Sequence, residues 1–95
     1  MTFTTTFTFR SKSYQTKIYL DYCEAPLYIF TIIDDTEIID AFGEDVYIKT
    51  DGKRILPMLC HYPSLNELRQ SIFNVVKERP EFQLAQQLVN SKAVA

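Results

Sequence analysis

Glycine is nearly missing from this chain: Gly43 and Gly52 are the only two in 95 residues. Neither a Gly-x-Gly-x-x-Gly turn nor a Gly-x-x-x-x-Gly-Lys loop can be written with them, which excludes the backbone cradles of classical nucleotide sites. Histidine occurs once, as His61, tryptophan not at all, and cysteine only as Cys23 and Cys60. So few soft ligands cannot make the clustered Cys/His set of a zinc site. The acidic run Asp34-Asp35-Thr36-Glu37, followed by Asp40, lacks the alternating ligands and central glycine of a calcium loop. No metal and no cofactor is assigned.

Long apolar runs are also lacking. None approaches the roughly 20 residues that cross a bilayer. The opening Met1–Thr6 alternates, without the basic start and continuous apolar region of a secretory leader. The expectation is a soluble, cytoplasmic protein with no membrane contact, its two thiols reduced.

Cys60 and His61 are the one adjacent nucleophile–base pair. Neighbours in an extended segment point opposite ways, and no nucleophile elbow or oxyanion signature accompanies them. No catalytic residue is assigned, and a non-enzymatic role is expected. Connector residues plugging a core edge explain the pair more simply.

What is present is apolar and aromatic. Hydrophobic residues make up 46% and charged residues 23%, an ordinary globular balance. Seven Phe and six Tyr supply large side chains for a core in one short domain, residues 1–95. Charge is uneven although the net is −2. Residues 1–20 carry Arg10, Lys12 and Lys17 and no acid, whereas residues 21–45 carry eight acids and neither Lys nor Arg. Solvated turns account for such a stretch; an acidic patch at Asp34, Asp35, Glu37 and Asp40 that attracts a basic partner is the sharper alternative.

Periodicity gives the elements. Phe3, Thr5, Phe7 and Phe9 alternate with polar residues, as do Tyr14, Thr16, Ile18, Leu20 and Tyr22, predicting a hairpin. A two-residue turn at Ser11-Lys12 would set Phe9 against Tyr14 and Phe7 against Thr16, although primed turns prefer Asn or Gly. Leu27–Ile33 is apolar on both faces, the mark of a strand covered on both sides or of one that binds something. Glu37–Phe42, closed by Gly43, reads as a helical turn, with a short strand as the alternative. Val46–Thr50, Asp51-Gly52 and Lys53–Leu56 predict a hairpin around a type I′ turn, ended by Pro57. Ser64 and Glu67 have the spacing of a capping box. Leu65, Leu68, Ile72, Val75 and Val76 then make a helical stripe, broken at Pro80 and resumed through Phe82, Ala85, Leu88 and Val89.

The fold expected is α+β. An antiparallel sheet of five to six strands, mostly a meander in residues 1–57, is followed by two C-terminal helices, residues 64–90, packed on one face.

A four-residue turn at 23–26 sets Tyr19 opposite Phe30 and Lys17 opposite Ile32. Tyr19, Tyr28, Phe30, Ile32 and, in the same phase, Tyr47 then share the face away from the core. Either a segment of the same chain covers them, or they form an interface.

Three functions follow. The leading one is a small protein-interaction domain that self-associates as a homodimer through this face or through the first strand. The second is an acidic inhibitor or adaptor for a basic partner. The third is an enzyme or small-ligand protein with its site near His61. Nucleic acid, stacked on the aromatics beside Lys17, Lys49 and Arg54, is disfavoured by the acidic segment and by the order of elements.

Overall fold

Strict alternation in the first half of the chain produces strands, and among the described residues the computed structural model arranges them as a four-stranded antiparallel sheet with three helices. It describes residues 1–23, 26–43, 45–57 and 63–94. The strands are β1 (Thr2–Phe9), β2 (Lys12–Asp21), β3 (Leu27–Ile32) and β4 (Asp45–Thr50), in the order β1-β2-β3-β4. Helix α1 (Thr36–Phe42) lies between β3 and β4, and α2 (Pro63–Val76) and α3 (Pro80–Val94) follow the sheet. The class is therefore α+β with two C-terminal helices, and among the described residues the sheet has four strands rather than five or six.

The missing strand is the second arm of the expected Asp51-Gly52 hairpin. A type I′ turn needs positive φ at both central residues, and here only Gly52 has it (φ 97°). The Asp51 carboxylate instead accepts the backbone N–H groups of Lys53 (2.9 Å) and Arg54 (3.0 Å). This widens the loop to four residues. Thr50 pairs with Ile55 in a single bridge, and the Leu56 N–H reaches the Lys49 carbonyl at 2.8 Å. A side chain on residue 52 would run into the Gln86 amide of α3.

The first hairpin differs from expectation in register. Phe9 pairs with Lys12, so the turn is Arg10-Ser11 and Phe7 faces Tyr14. Both turn residues have positive φ, 51° and 65°, the type I′ geometry in residues that seldom adopt it. Long-range contacts hold Arg10 there: Nη2 donates to Ser64 Oγ at 2.9 Å and meets Glu67 Oε2 at 3.4 Å, and the guanidinium lies 4.9 Å from the Phe9 ring centroid. Ser64 and Glu67 thus engage Arg10 instead of forming a capping box, and α2 starts one residue earlier, at Pro63. A slip of two residues keeps each side chain on its own face, so the core set is unchanged.

Phe7, Phe9, Tyr14, Ile18, Leu20, Leu27, Ile29, Val46 and Ile48 are buried on one face, with Leu68, Ile72, Phe73, Val76, Phe82, Ala85 and Val89 of α2 and α3 in the same cluster. Phe73, outside the expected stripe, is in the core and meets Phe82 edge-on at 5.9 Å. Each of the Val, Leu, Ile and Phe side chains contributes about 1.5–3 kcal/mol by leaving water. Thr16, Thr31 and Thr50 are buried among them. Each hydroxyl donates to a backbone carbonyl, of Ile32, Val46 and Arg54 respectively, so no hydroxyl is left unpaired.

Helix α1 closes one end. The Asp35 carboxylate accepts the Ile38 N–H at 3.2 Å, and Gly43 (φ 89°) ends the helix with its N–H on the Ile39 carbonyl. Ile38 enters the core, and Phe42 packs edge-on against Phe9. Helix α3 starts at Pro80, where a missing N–H costs nothing, and continues four residues past Asn90.

Candidate functional site

The face of the sheet turned away from the helices is built by the other phase of each strand. On β1 it carries Thr2, Thr4, Thr6 and Thr8; on β2, Ser13, Gln15, Lys17, Tyr19 and Asp21. On β3 it carries Tyr28, Phe30 and Ile32; on β4, Tyr47 and Lys49. The expected β2–β3 register is observed, with Tyr19 opposite Phe30 and Lys17 opposite Ile32. Phe30 is also paired with Tyr47 and Tyr28 with Lys49. One row therefore crosses all four strands: Thr2, Tyr19, Phe30, Tyr47.

These rings form one cluster centred on Phe30. Its centroid lies 6.1 Å from Tyr19, 6.1 Å from Tyr28 and 6.4 Å from Tyr47, and the Tyr28 and Tyr47 rings are each stacked on that of Phe30. Among the described residues no segment closes over them. Tyr19, Phe30, Ile32 and Tyr47 remain 41–58% exposed, while Tyr28 is half-buried. Helix α1, which could have lain across this face, packs on the other one through Ile38 and Phe42. A recess of about 280 Å³ opens between Thr2, Lys17, Tyr19, Phe30 and Ile32.

One residue that sequence reasoning missed anchors this surface at edge strand β4. Arg69 of α2 is buried, donates from Nε to the Tyr47 carbonyl at 3.1 Å, and brings its guanidinium to 5.7 Å from the Tyr47 ring centroid. The signal was present: an arginine stands in the apolar stripe between Leu68 and Ile72. A long cation there must find a carbonyl or a ring.

The acidic residues are dispersed in role. Asp35 caps α1, and Glu37 meets Lys12 Nζ at 3.4 Å, an exposed pair that raises the Lys12 pKa through the Glu37 hydrogen bond and charge. Asp34 and Asp40 are exposed. Among the described residues no group of three or more His, Cys, Asp or Glu is placed to hold a metal ion. Cys23 is exposed and free. Cys60 and His61 lie outside the described residues, and with them the candidate site near His61.

A groove of about 350 Å³ runs between the Thr50–Gly52 segment and Gln86, Val89 and Asn90 of α3. Its carboxylate, Asp51, is engaged by the amides of the loop. Those N–H groups, Lys53 first, hold its pKa below the usual carboxylate value.

The molecule is thus a small α+β domain whose sheet is packed on one side and aromatic and open on the other. Comparison with protein-family models, with curated proteins and with solved structures finds no match. Among the described residues no helix is long and apolar enough to cross a membrane.

Proposed function

We propose that this chain is a non-enzymatic protein-interaction domain that self-associates as a homodimer through the open face of its sheet. One observation carries the reading: Tyr19, Phe30, Ile32 and Tyr47 stand uncovered on three adjacent strands, around a ring cluster held by the fold. Tyrosine and phenylalanine of this kind anchor protein interfaces.

A second copy is the occupant that the surface chemistry supports. The cluster is neutral and bordered by lysine and aspartate together, Lys17 and Lys49 beside Asp21, so it presents both signs to a copy of itself. A single-stranded nucleic acid would meet the same aspartate on a chain of net charge −2, without the positive groove that stacking platforms use. With three strands about 4.8 Å apart and five residues along each at about 3.3 Å, the aromatic area measures roughly 240 Å² per copy. That is below the standard size of a specific interface, so the dimer proposed is a weak, concentration-dependent one.

Sedimentation equilibrium from about 10 μM to 1 mM tests the reading. A monomer–dimer equilibrium that Phe30→Ser weakens at least tenfold is expected. A strict monomer throughout, or a dimer indifferent to Phe30→Ser, overturns it. Retention of a labelled oligonucleotide by the monomer would replace the partner class.

A further inference from the structure

The charges around the aromatic cluster contain information about how two copies meet. On β2, Lys17 and Asp21 flank Tyr19 two residues to either side, and all three share the open face. Rotation by 180° about an axis lying along the Thr2–Tyr19–Phe30–Tyr47 row sends position 17 onto position 21 of the same strand. Two copies related by that axis place each Lys17 across from the partner's Asp21, twice by symmetry. Phe30 meets the partner's Phe30, and Ile32 meets the partner's Tyr28.

Shape agrees with charge. Ile32, at 58%, is the most exposed large apolar side chain of the face, whereas Tyr28, its counterpart across the same axis, is half-buried. The most exposed apolar residue of one copy thus meets a half-buried ring of the other.

The other in-plane axis, along β3, sets Ile32 against the partner's Ile32 and Tyr28 against the partner's Tyr28, each residue against its own kind. It pairs Asp21 with the partner's Lys49 instead. Aligned packing of two sheets about 10 Å apart leaves a lysine and an aspartate within reach of each other in either case.

We infer that the homodimer is a two-fold, face-to-face sandwich in which the strands of the two copies run antiparallel and Lys17 of each copy pairs with the partner's Asp21. This rests on the self-association proposed above and adds its orientation.

Charge exchange tests it in the full chain, read by sedimentation equilibrium, with a thermal melt to confirm that each variant is folded. Lys17→Asp sets acid against acid at both pairs and is expected to weaken dimerisation at least tenfold. Asp21→Lys should do the same, although it also removes the carboxylate that accepts the Cys23 N–H at 3.2 Å. Lys17→Asp, itself exposed, is therefore the cleaner single variant. The double variant Lys17→Asp/Asp21→Lys is expected to recover the wild-type constant to within about threefold. No recovery, with recovery in Asp21→Lys/Lys49→Asp, overturns this orientation in favour of the axis along β3 and leaves self-association standing. No recovery in either double variant overturns the face-to-face arrangement. A monomeric wild-type protein removes the proposed function itself.

Discussion

The two faces of this sheet are made by the same strands and differ by one residue of phase. Ile29 and Phe30 are neighbours in β3; the first is fully buried under the helices and the second is 41% exposed in the centre of the open cluster. Hydrophobicity does not separate them, since both are large and apolar. What separates them is that α2 and α3 present Leu68, Ile72, Phe73, Val76, Phe82 and Val89 to one side only. The open face is itself divided. Its β1 side is a row of threonines suited to water, and its β2–β4 side is aromatic. Solubility alone would favour threonine throughout.

The largest expected effect comes from truncating the two neighbours in turn. Ile29→Ala leaves a cavity in the packed core and should cost about 3 kcal/mol of stability by urea unfolding. Phe30→Ala should cost under about 1 kcal/mol, because only ring–ring contacts on a wet face are lost. Equal losses at the two positions would erase the distinction between the faces.

A smaller effect is expected at Arg69, which joins the two sides. Arg69→Ala removes the charged donor from the Tyr47 carbonyl and should cost about 2 kcal/mol. The Tyr47 ring signals should shift with it, while those of Tyr14, on the buried side, should move little. A variant as stable as wild type, with Tyr47 undisturbed, would contradict the anchoring role.

The smallest effect is one of pH. Asp51 is held below its ordinary pKa by the Lys53 and Arg54 amides. A folded-state pKa that is depressed contributes stability above the unfolded value and loses it as pH falls through the folded one. The 51–54 loop should therefore stay intact above about pH 4 and loosen below it. The amide shifts of Lys53 and Arg54 would report this, with Thr2–Thr8 as the insensitive reference. Unchanged loop amides down to pH 2.5 would contradict it.

Much of this arrangement was legible in the residues. Period-2 alternation placed Phe7, Ile18 and Ile29 on one face and Tyr19 and Phe30 on the other, because strand geometry leaves no third choice. The short gap between β2 and β3 left little freedom of register, so the Tyr19–Phe30 and Lys17–Ile32 pairings could be read directly. What could not be read depends on contacts between distant segments. Arg10 holds a left-handed turn because Ser64 and Glu67 of α2 grip its guanidinium, and the same contact diverts those two residues from capping. The Asp51-Gly52 pair reverses the chain but not as a two-residue type I′ turn, because the aspartate side chain found two backbone donors within its own loop. Arg69 was passed over because a charged residue within an apolar stripe reads as noise until its carbonyl partner is known.

The central claim is that the aromatic face is kept open for a second copy of the chain. A dilution series followed by proton–carbon NMR of the ring and methyl groups tests it most directly. Signals of Tyr19, Phe30, Ile32 and Tyr47 should move together with concentration, while those of Ile18, Ile29 and the threonines at the far end of β1 stay fixed. Ring signals that do not change up to 1 mM, or changes centred on α1 or on the groove beside α3, would contradict the account.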